Sequence, residues 1–184
     1  IYARGSSLPD KRTALYGAYI DTFLNRESEK SAIVREHRDL LVSLHGHLAW
    51  TLHSDAEQGS GSGRISRDDL TQLLREYLDT EGHDTSLVDK LFEGVVTRVV
   101  AVVSRIEGLY EFEVQPLREY FAARFLYDTA RYSPTGGEVG GTLPDRFLAL
   151  ARNPYWLNVA RFYAGFLSKG EIPSLVESLK DLSE

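Results

Sequence analysis

Apolar residues recur at three- and four-residue spacing along nearly the whole chain, and in one stretch only does the period fall to two. That pattern limits the chain to packed amphipathic helices with a single short piece of sheet. A first helix is predicted over Lys11 to Asn25, with Ala14, Leu15, Ala18, Tyr19, Thr22 and Phe23 as its inward stripe after Leu8-Pro9-Asp10. A charged joint, Arg26 to Lys30, follows. A second helix spans Val34 to Leu52, with Leu41, Leu44, Leu48 and Leu52 on one face. Ser66 reads as the N-cap of a third, which carries Asp68 and Asp69 in its first turn and Leu70, Leu73, Leu74 and Tyr77 on its inner face, and which ends at Glu81-Gly82. Ser86 opens a fourth helix. Its Leu87, Leu91, Val95 and Val99 alternate with Phe92, Val96 and Val100, an apolar surface on two sides that marks the core helix.

The period-two stretch is Val102, Val103 and Ile106, a tight Glu107-Gly108, then Leu109, Tyr110, Phe112 and Val114 alternating with Glu111 and Glu113. This is the pattern of a β-hairpin. Helices followed by one hairpin make a winged-helix order. Pro116 then fits the first turn of a fifth helix whose stripe is Leu117, Tyr120, Phe121, Phe125 and Leu126. Shorter helices over Pro144 to Arg152, Tyr155 to Lys169 and Pro173 to Leu182 complete the chain, and Ser54 to Gly63 and Ser133 to Gly141 read as loops. The expected class is mainly α, a winged-helix domain with a short β-hairpin followed by the start of a helical domain.

Composition narrows the function classes. With 184 residues, 42% hydrophobic residues and a net charge of −6, the chain is too apolar and too weakly charged to be disordered. A pI near 5.4 gives no overall attraction for nucleic-acid backbones or anionic lipid. The absence of cysteine removes disulfides, thiolate nucleophiles and thiolate metal sites, and points to a cytoplasmic protein. The valine-rich run from Val95 to Val103 is interrupted by Thr97 and Arg98 and is too short to span a membrane. Starting at Ile1 with neither an initiator methionine nor a signal-peptide pattern, the chain reads as a piece of a longer protein.

Several constellations invite chemistry, and each has a plainer reading. His37, His45, His47 and His53 lie close in sequence, but residues two apart on a helix point about 200° from each other, so His45 and His47 cannot share one ion. No metal site is assigned. Gly59 to Gly63 before a helix resembles a phosphate loop only superficially, since neither a preceding buried strand nor a Lys-Ser/Thr pair is present. Glu111 and Glu113 share a strand face and mark its solvent side rather than a catalytic pair. A winged helix raises DNA binding as an alternative, but Asp89, Glu93, Glu107, Glu111 and Glu113 leave its reading elements neutral or acidic despite Lys90 and Arg98. The aromatic run Tyr155, Trp156, Phe162, Tyr163 and Phe166 has helical spacing and reads as core.

Phe112 to Ala123 reads Phe-Glu-Val-Gln-Pro-Leu-Arg-Glu-Tyr-Phe-Ala-Ala, and it resembles the Phe-x-His-x-x-Phe-Gln-Glu-Tyr-Phe-Ala-Ala segment of NACHT-type STAND NTPases. Leu8-Pro9 with Arg12, Leu15-Tyr16 and Leu24 resembles the helix after that family's ATPase core, and Gly63 to Leu70 resembles the lead-in to its third winged-helix helix. The resemblance implies a regulatory segment: 1–33 the end of a first helical domain, 34–115 the winged helix, 116–184 the start of a second helical domain. It also implies an upstream ATPase core that binds ATP or ADP with magnesium, nucleotide-controlled opening into a homo-oligomer, and a setting such as bacterial anti-phage defence. The segment itself is not an enzyme and has no membrane partner. At the position of the family's phosphate-contacting histidine stands Val114, which can neither donate a hydrogen bond nor carry charge. Arg118, in place of the family's glutamine, is the candidate for a nucleotide phosphate contact. Glu119 and Tyr120 are assigned to structure, the tyrosine beneath the hairpin and the glutamate near a donor or cation at the helix start.

Overall fold

A computed structural model describes residues 11–59, 63–95, 102–130 and 141–180. Helices α1 (Arg12–Lys30), α2 (Ala32–Glu36) and α3 (Arg38–Glu57) lead to strand β1 (Arg64–Ser66) and then to α4 (Arg67–Thr80). A 3-10 turn at Thr85–Leu87 precedes α5 (Val88–Glu93); β2 (Val102–Ile106) and β3 (Leu109–Phe112) form the hairpin; α6 (Gln115–Asp128) follows. Beyond it lie α7 (Leu143–Arg152), a 3-10 turn at Pro154–Trp156, α8 (Leu157–Phe166) and α9 (Ile172–Lys180). The mainly helical class with a hairpin is the architecture observed. No helix among the described residues is long and apolar enough to cross a membrane.

The hairpin, the wing of the expected winged helix, belongs to a three-stranded sheet. Its order is β1-β3-β2, all antiparallel, with Arg64 opposite Glu111 and Ile65 opposite Tyr110 on one side of β3, and Val102 opposite Phe112 on the other. Strand β1 lies between the predicted loop, which ends at Gly63, and the helix that Ser66 caps; it is not predicted, because three residues are too few to display a period and the strand exists only through its pairing with β3. The turn at Gly108 takes φ +77°, a conformation that suits glycine, and the Gly108 carbonyl accepts from the Arg67 amide at 3.1 Å. Tyr110 and Phe112 are buried as the alternation predicts. Val114 is not: it is 47% exposed, since the chain has already left the sheet and Val114 is the N-cap of α6.

Other boundaries move for identifiable reasons. The joint expected at Arg26–Lys30 is helical to its end, where Lys30 supplies positive charge to the last turn of α1 and bonds Glu27 at 3.0 Å. The second predicted helix is two helices broken at His37 (φ −123°, ψ 27°), and the second of them continues through Ser54–Glu57 rather than stopping at Leu52. Ser66 caps α4 as expected, accepting from the Asp69 amide at 3.1 Å, and Gly82 follows its end at φ +71°. Asp84, not Ser86, caps the turn before α5. The core-helix stretch Val96–Val100 and most of the loop 133–141 lie outside the described residues. Within the predicted Tyr155–Lys169 helix, Tyr155 and Trp156 belong to the 3-10 turn and the α-helix ends at Phe166.

Helix α1 is rotated from its predicted stripe. Thr13, Ile20, Phe23, Leu24 and Glu27 are buried, while Leu15 and Tyr19 are exposed. The cause is tertiary: Tyr16 stacks on Tyr120 at 5.8 Å and meets Phe162 edge-on at 5.1 Å, and the Thr13 hydroxyl donates to the Phe162 carbonyl at 3.1 Å. With apolar residues on both flanks of α1, the partner helices select the face.

Helix α6 carries the centre of the core. Tyr120, Phe121, Ala122 and Ala123 are all essentially inaccessible, and α6 packs against both α3 and α8. It crosses α3 at Gly46, where a Cβ would sit 3.1 Å from the Phe125 Cβ and 3.4 Å from the Phe121 carbonyl oxygen. Replacing Gly46 by valine therefore forces the two helices apart, and urea unfolding is expected to show a loss of about 2 kcal/mol. Gly46→Ala, whose gain in helix propensity offsets a single tight contact, should lie within about 1 kcal/mol of the parent.

Candidate functional site at the wing and helix α6

The turn from β3 into α6 carries the segment Phe112 to Ala123, and its residues separate into two groups. Phe112, Leu117 and Tyr120 to Ala123 are buried. Phe112 and Phe121 approach at 6.1 Å, so Phe121 rather than Tyr120 packs beneath the hairpin. Tyr120 faces the opposite way, into Tyr16 of α1 and Phe162 and Phe166 of α8, and burial raises the pKa of its phenol. A helix presents successive residues 100° apart, so one of this pair had to leave the wing. Glu119 is buried and accepts from Gln115 Nε2 at 2.9 Å and from Asn158 Nδ2 of α8 at 3.4 Å, which ties the first turn of α6 to the next helical layer.

Arg118 points back toward the wing. Its guanidinium lies against the backbone of Gly63, where a Cβ would fall 2.2 Å from Nη1, and its buried Nε has no hydrogen-bond partner among the described residues. Gly63 has φ +73°, so glycine is required there both for the backbone and for the space that Arg118 occupies. Two more arginines converge nearby on Glu111. Arg64 Nε donates to Glu111 Oε2 at 2.7 Å, and Arg105 Nε lies 3.1 Å from Oε1. The hydrogen bond from Arg64, reinforced by the charges of Arg64, Arg105 and Arg118, holds the Glu111 carboxyl below the usual carboxylate range. Arg105 Nη2 also donates to the Glu113 carbonyl at 3.0 Å, at the start of α6. Three guanidiniums grouped around one carboxylate leave a local excess of positive charge in an acidic protein. Such a group is suited to an anion.

Arg64, Arg105 and Gly63 escape sequence reasoning, because only the β1-β3 register brings residue 64 opposite residue 111. Glu111 is thus an ion-pair partner. Nothing in its surroundings makes it one of two facing carboxylates with Glu113, which is exposed. Gly59 takes φ +70° after α3, and residues 60–62 lie outside the described residues. At the following helix start Asp69 Oδ2 accepts from the Ser66 hydroxyl at 2.6 Å and Asp68 stands beside it, so that N-terminus already carries anionic charge.

Two of the histidines, His45 and His53, are core residues. His45 is fully buried, its Nδ1–H donates to the Leu41 carbonyl at 2.7 Å, and its ring packs on Phe121 at 5.4 Å. His47 lies on the other side of Gly46, among Tyr77 and Phe125. His53 is buried between Tyr155, at 4.6 Å, and Trp156, at 4.4 Å. No three His, Asp or Glu side chains among the described residues are placed to hold a metal ion. Burial pulls the pKa of His45 and of His53 down to about 4, with the positive charge of Arg118 adding to the effect at His53. Near α5 and the wing tip, Asp84, Asp89, Glu93 and Glu107 are exposed, a poor surface for a phosphate backbone.

No protein-family profile matches the chain, no curated protein is similar to it, and no solved structure matches its fold.

Two predictions come from this geometry. Gly63→Ala should destabilise by about 1–2 kcal/mol for the backbone conformation alone, plus the collision with Arg118. In an Arg118→Ala background the collision vanishes, so a double-mutant cycle measured by urea unfolding should give a positive coupling between the two positions. The second concerns acid. Between pH 6.5 and about 4 the unfolded chain protonates His45 and His53 while the folded chain does not, so stability falls as pH falls, by up to about 1.4 kcal/mol per pH unit for each histidine. His45→Gln should remove one histidine's share of that slope when denaturation midpoints are compared across this range.

Proposed function

We propose that this chain is the winged-helix segment, with its flanking helical parts, of a NACHT-type STAND signalling ATPase. In this reading it couples the nucleotide state of an upstream ATPase core to opening and homo-oligomerisation, and performs no catalysis itself. The observation that carries the reading is where the Phe112–Ala123 segment lies. Its apolar residues and Glu119 join the wing to α1, α3 and α8, while Arg118 and exposed Val114 stand at the edge beside Arg64 and Arg105. A segment that is rigid on one side and cationic on the other suits an inter-domain contact whose strength depends on a bound anion.

Within this proposal the missing family histidine is replaced by charge from the arginines. Arg118 is the residue assigned to the phosphate of ADP or ATP held with magnesium in the upstream core. Reaching it requires Arg118 to exchange its packing on Gly63 for the ligand. A contact made in the closed state and lost in the open one shifts the equilibrium by its differential free energy. Cytoplasmic signalling, such as bacterial anti-phage defence, is the corresponding setting.

Calorimetric titration of ADP and ATP into the longer parent chain, with the 184-residue chain as control, tests this reading. Binding by the parent alone is the expected result, with Arg118→Ala in the parent weakening ADP by about tenfold, the effect of one charged hydrogen bond. Failure of the parent to bind either nucleotide would overturn the proposal. Salt-dependent retention of duplex DNA by the 184-residue chain would then favour a winged-helix DNA-binding module.

A further inference from the structure

Helix α1 carries a second apolar stripe that the core does not use. The rotation that turns Ile20, Phe23 and Leu24 inward leaves Leu15 and Tyr19 at 42% and 49% exposure, with Ala18 and Thr22 exposed beside them. At about 100° per residue these four lie within about 60° of one line along the helix, and the exposed Lys11 and Glu29 fall on the same side, one at each end. Single apolar residues on a surface need no explanation, but a continuous stripe bracketed by opposite charges does. Those charges are placed against their own helix: lysine at the N-cap and glutamate in the last turn each meet the dipole end of their own sign. Among the described residues they are also the ionic side chains of this helix without a partner. Arg12 lies over the Phe162 ring at 4.5 Å, Asp21 pairs with Arg38 at 2.9 Å, and Arg26 and Lys30 pair with Glu27 at 3.6 and 3.0 Å.

We propose that this stripe is a docking surface for a second copy of the chain, with the two α1 helices antiparallel about a two-fold axis near residue 20. A parallel pair would set lysine against lysine and glutamate against glutamate. The antiparallel pair sets Lys11 of each copy against Glu29 of the other, so the same patch is complementary to itself and the ion pair forms twice. It also brings each charge to the end of the neighbouring helix where the dipole favours it. In this register Ala18 faces Thr22 across the axis, and two small side chains let the helices approach while Leu15 and Tyr19 pack alongside. Arg26, on the same face, is held by Glu27 and the Phe23 ring and comes opposite the exposed Ala14. The contact uses neither Arg118 nor a nucleotide, and it does not rest on the function proposed above.

The test is sedimentation equilibrium of the 184-residue chain at low salt, from about 10 μM to about 1 mM. One helix per copy is a small interface, so a monomer–dimer equilibrium with a dissociation constant of about 100 μM is expected. Lys11→Glu and Glu29→Lys should each weaken the dimer about tenfold, because each sets like charges together at both ends of the contact. The double substitution exchanges the two charges and should restore the parent affinity to within about twofold. Both single substitutions suit the dipole of the isolated helix, so a weakened dimer would not reflect a weakened fold, and circular dichroism should be unchanged. A chain that stays monomeric to about 1 mM, a dimer indifferent to either single substitution, or a double variant as weak as the singles would each overturn the proposal.

Discussion

The crossing of α6 over α3 at Gly46 is the contact on which the rest of the structure depends. Because residue 46 has no side chain, the α6 backbone comes close enough for Phe121 to reach His45 and the hairpin's Phe112, while Phe125 reaches His47 and Trp50. The same helix turns Tyr120 and Tyr127 to the other side, against Phe162 and Tyr163 of α8. One helix therefore sets the spacing of the hairpin and α3 on one side and of the helices after it on the other. A well-packed interior transmits such a constraint with little slack.

The polar links follow the same route. Glu119 bridges α6 to α8 through Asn158, and Arg118 bridges α6 to the start of β1 through Gly63. Glu57, at the end of α3, holds Asn153 and Trp156 of the turn before α8. Each of these joins segments far apart in sequence, and each uses a charged group whose partners are fixed by apolar packing around it. This is why the wing, the arginines around Glu111 and the later helices form a connected frame, against which a bound anion at the wing would act as a lever rather than as a local patch.

Much of the fold was legible in the sequence. The change from a three-to-four period to a period of two located the hairpin, Ser66 and Pro116 located two helix starts, and Gly82 and Gly108 located two turns, because each is a local property of a few residues. The face of α1 was not legible, since Ala14, Leu15, Ala18 and Tyr19 offer as good a stripe as Thr13, Tyr16, Ile20 and Phe23 until Tyr120 and Phe162 are placed beside it. Strand β1 was invisible for the opposite reason: it is too short to have a pattern. At the candidate site, Arg118 and Val114 could be singled out from the chain alone, whereas the company Arg118 keeps could not.

The sequence by itself determined the helical class, the single hairpin, the Ser66 cap and the order of most of the helices, because backbone propensity and hydrophobic period act over one or two turns. Only the tertiary structure decided that β1 pairs with β3, that Arg64 and Arg105 gather around Glu111, that Arg118 folds onto Gly63, and that two tryptophans from separate helical segments share a cleft with Arg146. Those contacts join residues tens of positions apart, and their geometry depends on how closely α6 can approach α3. That distance is a property of the packed core, and no local stretch of the chain encodes it.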